Sequence, residues 1–195
     1  MNNYNSRILC PSPEDINRYC HPARISTMTT YLGPLHTPLS EQCQTVKASD
    51  KVKSLLVTRD IGPFQLTGIA PFLKVLENVF AMVKEDNIDL YNALGTAGCF
   101  CARYVRGSTT QPSNHSWASA IDMKMYDTTL KQFVLDPRGD GKVQTGCLEL
   151  YKYFKQYGLQ TGEWIFWGAG FPTEDGMHFE ASDELIRRWA ATKVI

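Results

Sequence analysis

The 195-residue sequence has no surplus of either charge, since twenty Lys and Arg balance twenty Asp and Glu. A formally neutral chain sets up no long-range field toward nucleic acid or an anionic bilayer, and no local basic patch replaces it, so neither is an expected partner. Apolar runs of the ~20 residues that a membrane span needs are lacking. The first residues, Met1 to Arg7, lead into Ile8-Leu9-Cys10 and Pro11 without the apolar stretch of a secretory signal, so the expectation is synthesis in the cytoplasm without a signal peptide.

Paired Cys-x-x-Cys spacings are also missing. Cys99-Phe100-Cys101 has a one-residue gap, which in an extended chain points both sulfurs to one side, so neither a zinc knuckle nor an unstrained bond between them is expected. Regular alternation of strand and helix is absent too, which argues for α+β rather than a doubly wound parallel sheet. Histidines are few, four in all. His21 and His36 have no acidic partner at a telling spacing and read as surface or packing residues.

What is present is an ordinary globular composition, 43% hydrophobic and 21% charged, enough for one core. Residues 1–50 hold five of the ten prolines and three of the six cysteines, and read as an irregular arm packed on a domain spanning 51–195. The only helical signal in the arm is weak, around Ser12-Pro13-Glu14-Asp15. Ser54 to Thr58 reads as a strand, and Thr67-Gly68 opens an apolar helix through Phe72, Leu76, Phe80 and Val83. Ala120 to Tyr126 alternates as a half-buried strand, with Asp122 on the face opposite Ile121, Met123 and Met125. Gln132 to Leu135 is a further strand. Asp136 to Gly141 is a loop whose Arg-Gly-Asp carries no assigned role, and a helix through Leu148, Tyr151 and Phe154 ends at Gly158. Strands at Glu163–Trp167 and Met177–Glu180 precede a last helix capped by Ser182 or Asp183. The fold expected is a small antiparallel sheet flanked by helices.

Two segments carry the chemistry. Ser113-Asn114-His115-Ser116-Trp117-Ala118-Ser119-Ala120-Ile121-Asp122 and Asp175-Gly176-Met177-His178-Phe179-Glu180 together provide two imidazoles and several carboxylates. A hydrolytic zinc needs three protein ligands and one open position for water, and His115, Asp122 and His178 would supply the three. Asp175, three residues before His178, would accept a proton from the water and deliver it to the leaving amine, with Gly176 turning both side chains inward. Glu174 and Glu180 rank below it as bases, and Glu180 would orient a ligand from behind. Arg103 and Arg106 would hold a substrate carboxylate or an oxyanion. Trp117, Trp164, Trp167, Phe171 and Phe179 crowd these segments as core or as cleft walls.

The pattern Ser-x-His followed by Ala-x-Asp, with Asp-x-x-His downstream, resembles the zinc peptidases of peptidoglycan, which include D-alanyl-D-alanine carboxypeptidases and L-alanyl-D-glutamate endopeptidases. The resemblance runs from about Leu55 to Trp189 and implies the Hedgehog/DD-peptidase fold. It implies Zn2+ on His115, Asp122 and His178, Asp175 as general base, and an upstream arginine, Arg103 foremost, stabilising the transition state. One departure is visible: the family places glycine where this chain has Ala118, and a methyl group there would narrow the cleft. Aspartate rather than glutamate at the base position tilts the bond toward L-Ala-D-Glu. The implied substrate is the peptidoglycan stem peptide, attacked in the periplasm or cell wall after phage lysis or after delivery as an antibacterial effector with a cognate immunity protein. The six cysteines and the arm favour the effector. The competing expectation is a non-catalytic, zinc-stabilised binding module on the same fold.

Overall fold

The computed structural model describes residues 3–195 and has the expected α+β architecture. Its centre is β5 (Ala120–Asp127), whose Ile121, Met123 and Met125 are fully buried while Asp122, Lys124 and Tyr126 are partly exposed on the other face. On one edge β5 pairs antiparallel with β4 (Leu94–Gly98). On the other, β9 (His178–Ala181) takes its first half and β6 (Gln132–Leu135) its second, and β8 (Ile165–Trp167) continues beyond β9.

Two long helices fill the core behind this sheet. In α3 (Ala70–Asp86), Phe72, Leu73, Leu76, Val79, Phe80 and Val83 are buried, the stripe that an amphipathic helix turns inward. In α5 (Thr145–Thr161), Leu150, Tyr151 and Phe154 do the same. Burying side chains of this size stabilises the fold by ~1.5–3 kcal/mol each, so the two helices are the main fasteners of the sheet.

Several boundaries differ from the sequence expectation, for local reasons. Thr67 and Gly68 do not open α3; they lie in β3 (Gln65–Ile69), paired with β2 (Leu56–Asp60), and the helix starts at Ala70 with Pro71 in its first turn. Gly68 is there for close approach, since a Cβ would come within 2.9 Å of Leu73 and 3.0 Å of Cys99 Sγ. Ser54 and Leu55 end a short helix, α2 (Asp50–Leu55), whose first turn is capped by the Ser49 hydroxyl accepting from Val52 N–H at 3.0 Å. Gly158 does not stop α5 but lets Trp164 lie on the helix, and the stop comes at Gly162, with φ 72°. The last helix, α6 (Asp183–Ala191), is capped by Ser182, which accepts from Leu185 N–H at 3.1 Å. Leu94–Gly98 and the short α4 (Ile88–Ala93) before it lacked a sequence signal.

The arm contains more regular structure than its prolines suggest. The helical signal at Ser12–Asp15 is a turn; the helix is α1 (Ile25–Leu32), with Met28 and Leu32 fully buried. Near its start, β1 (Arg7–Leu9) pairs with β7 (Lys142–Gln144). Tyr4, Ile16, Ala23 and Ala48 join the main core. Among the described residues no helix is long and apolar enough to cross a membrane.

Candidate metal centre

The register of β5 on β9 sets Asp122 directly opposite His178, so their side chains leave the sheet as neighbours on one face. His115 comes from a single 3-10 turn, Asn114–Trp117, just ahead of β5. That turn is closed by Ala118 in the left-handed region, φ 55° and ψ 33°, with its N–H on the His115 carbonyl. Asp122 Oδ1 lies 3.1 Å from His115 Nε2 and 3.1 Å from His178 Nδ1. The three donor atoms all fall within 4.8 Å of one another, a group that can hold a metal ion.

The surroundings fix which nitrogen of each ring faces inward. His115 Nδ1 lies 2.8 Å from the Cys99 carbonyl, and His178 Nε2 lies 2.8 Å from Glu180 Oε2. Both partners only accept, so in neutral rings these nitrogens carry the hydrogens, and His115 Nε2 and His178 Nδ1 present lone pairs to Asp122. Two lone pairs and a carboxylate oxygen aimed at one point are a donor set for a divalent cation, with tautomers locked from behind. The residues therefore fit zinc: two imidazoles, one carboxylate and an open side toward the cleft.

Glu180 is itself enclosed by donors. Besides His178 it accepts from Ala23 N–H at 2.9 Å and from Asn114 Nδ2 at 2.8 Å, and Asn114 Nδ2 also reaches the Ala23 carbonyl at 3.2 Å. The arm is thus bonded through main-chain groups to the carboxylate that orients His178, a contribution with no sequence signal.

Charge is concentrated here. Burial alone would push the Asp122 carboxyl up, but His115 and His178 hold it well below the usual carboxylate range. Burial would lower His178, and the Asp122 and Glu180 carboxylates overcome it, raising the ring to about 10 when no metal competes for the nitrogen. Asp175 is pushed up by burial, partly opposed by His178 and Arg138. Its Oδ1 has no hydrogen-bond partner among the described residues, and its Oδ2 lies 3.6 Å from Arg138 Nε.

The group opens into a cleft of about 1200 Å³ lined by Asp122, His178 and Asp175 together with four arginines, Arg24, Arg103, Arg106 and Arg138. Arg103 is anchored by Nη1 on the Tyr104 carbonyl at 2.9 Å, and its backbone is tied to the His115 turn through Ser116 Oγ at 3.0 Å. Arg138 belongs to the Arg-Gly-Asp loop that carried no role in the sequence. Its signal was only the chemistry of a guanidinium in a loop, which does not distinguish it from solvated arginines. Arg7 on Asp136 Nε-to-Oδ1 at 2.8 Å, and on Asp140, braces that loop from the arm.

Other candidates lie elsewhere. Glu174 is turned away from the cleft, accepting from Gly141 N–H. His21 bonds Glu184 at the surface and His36 faces Asp50. Trp117, Trp167 and Phe179 are core; of the five aromatics only Phe171 lines the cleft, against His178. The Ala118 methyl does not narrow the cleft as expected, because the residue is fully buried and away from the lining. What glycine would relieve at this position is backbone strain at positive φ.

Residues 106–181 match a protein-family model described as D-alanyl-D-alanine carboxypeptidase. The matched stretch contains His115, Asp122, Asp175 and His178, and leaves out Arg103 and the whole arm. No curated protein matches the chain. The match supports a peptidoglycan-acting peptidase and, with the His-Asp-His group, a metallopeptidase.

Proposed function

We propose that the protein is a zinc-dependent peptidase that hydrolyses a stem-peptide bond of peptidoglycan, the L-Ala-D-Glu bond in preference to D-Ala-D-Ala. The observation that carries this reading is Asp175: a half-buried carboxyl with one enclosed oxygen that has no partner among the described residues, lining the same cleft as the three convergent donor atoms. His115, Asp122 and His178 would hold the zinc. When bound it supplies Lewis-acid polarisation and a hydrolytic water whose pKa falls to ~7.

The protein's own residues do the rest. Asp175 takes the proton released in the attack and returns it to the leaving amine, and the upward shift of its carboxyl brings the two tasks closer in energy. Arg138, 3.6 Å from Asp175 Oδ2, would favour the charged form that accepts the proton. Arg103 stabilises the developing oxyanion. Arg24 and Arg106 suit the free carboxylates of a stem peptide, which guanidinium groups bind in fork geometry. The four arginines face the carboxylates of Asp122, Asp136, Asp175 and Glu180 across the same lining, and a bound zinc would tip that balance toward an anionic peptide.

The proposed setting is the periplasm or cell wall, reached by delivery as an antibacterial effector, with an immunity protein as partner; release in phage lysis is the other route. Zinc-loaded protein incubated with purified peptidoglycan should release fragments that mass spectrometry assigns to cleavage between L-Ala and D-Glu. Release of free D-Ala instead would make it a carboxypeptidase. Wall binding without cleavage, with zinc bound, would favour the binding module.

A further inference from the structure

The six cysteines separate by surroundings. Cys20, Cys99 and Cys147 are buried, and Cys10 is half-buried. The sulfurs of Cys10 and Cys20 lie on the carbonyls of Ala169 and Ile165, and that of Cys147 lies on the Gln144 side chain. Cys43 is exposed in the arm and Cys101 is half-buried in the cleft wall, and Cys43 is among the neighbours that push the Cys101 thiol up.

The backbone holds these two together. Gln44 N–H donates to the Ala102 carbonyl at 2.8 Å, and Tyr104 N–H donates to the Ser40 carbonyl at 2.8 Å. Cys43 Sγ also reaches the Phe100 carbonyl, next to Cys101, at 4.0 Å. Main-chain bonds at both ends of the arm segment 40–44 keep it alongside 100–104. A disulfide needs Cα atoms within about 7 Å and Cβ atoms that face each other, and neighbouring backbones bonded in this way are the first requirement for both.

We propose that Cys43 and Cys101 form a disulfide when the protein enters an oxidising compartment, stapling the arm to the strap that positions His115. The strap is residues 99–103. Its Cys99 carbonyl faces His115 Nδ1 at 2.8 Å, Cys101 N–H donates to the His115 carbonyl at 3.0 Å, and the Arg103 carbonyl accepts from Ser113 N–H at 3.0 Å. A covalent tie at Cys101 therefore restrains both the ring orientation of one proposed ligand and the base of Arg103.

The oxidant is a disulfide, either a small one such as oxidised glutathione or that of a thiol oxidase. The exposed Cys43 thiolate attacks one of its sulfurs and expels a thiolate, giving a mixed disulfide. Cys101, having lost its proton, then attacks Cys43 Sγ and expels the second thiolate. The protein loses two electrons and two protons, and the oxidant becomes two thiols. Burial pushes the Cys101 thiol up, so little thiolate is available to it and the second step is the slow one.

The test does not depend on peptidase activity. Full-length protein is equilibrated with oxidised glutathione, then denatured and alkylated without reduction. The expected mass carries two fewer alkyl groups than the six cysteines allow, and peptide mapping links Cys43 to Cys101. The oxidised protein should melt ~5–10 °C higher than the reduced protein and release metal to a chelator several-fold more slowly. Cys43→Ser should retain five free thiols, Cys101→Ser should stop at the mixed disulfide with glutathione on Cys43, and neither should gain the rise in melting temperature. In the wild-type protein, six alkylated cysteines, a glutathione left on Cys43, or a link between any other pair would overturn the proposal.

Discussion

The β5–β9 strand pair and the N-terminal arm meet at one carboxylate, Glu180, and act on it in different ways. The strand pair supplies side chains at fixed register: Asp122 opposite His178, and Glu180 two residues further along the same strand face. The arm supplies the N–H and carbonyl of Ala23. Side chains needed at a fixed spacing leave a mark in the sequence, whereas a main-chain donor can come from any residue but proline. A metal centre can therefore be half invisible in the chain that builds it.

Three substitutions and one titration separate what the strand pair contributes from what the arm does. Glu180→Gln keeps the shape but weakens the acceptor behind His178, and should lower zinc affinity by about 10–100-fold in a chelator competition. Ala23→Pro removes the arm's N–H from the same carboxylate and should cost about 10- to 100-fold in that assay, since a hydrogen bond to a charged group contributes ~1.5–3 kcal/mol. Wild-type affinity in Ala23→Pro would mean the arm covers the centre without orienting it.

Next in size is a pH effect confined to metal-free protein. His178 is raised from its ordinary 6.5 to about 10 by its carboxylate neighbours, so its stabilising contribution is complete below pH 6.5 and is lost as pH rises toward 10. Melting temperatures of chelator-treated protein should fall across that range. Zinc-loaded protein, whose ligating nitrogen carries no proton, should show no such fall from this group. The smallest effect expected is from Ala118→Gly, which removes strain at φ 55° and should stabilise the fold by ~0.5–1 kcal/mol in denaturant melts, with activity unchanged.

Legibility in the sequence follows the same division. The alternation through β5 marked its buried and open faces because pleating forces period two, and the stripe through Phe72 to Val83 marked α3 because burial forces period 3.6. Helix starts and stops were less readable: Gly68 and Gly158 are explained by close approach to Cys99 and Trp164, neighbours remote in sequence or beyond a turn. Leu94–Gly98 carries two glycines among five residues and owes its strand state to pairing with β5, not to local propensity. At the site, the residues carrying spacing were named in advance, and the structure brings His115, Asp122 and His178 together beside Asp175. The roles of Arg138, Ala23 and Asn114 are not legible in the sequence, because they depend on tertiary contacts alone.

The central claim is that Asp175 moves the proton in a reaction for which His115, Asp122 and His178 hold the metal. Zinc content and peptidoglycan cleavage measured together on Asp175→Ala test it most directly. Zinc retained at the wild-type level, with the rate of peptide release reduced by about 10²–10⁴-fold, is the predicted result. Cleavage at the wild-type rate in the zinc-loaded variant would contradict it.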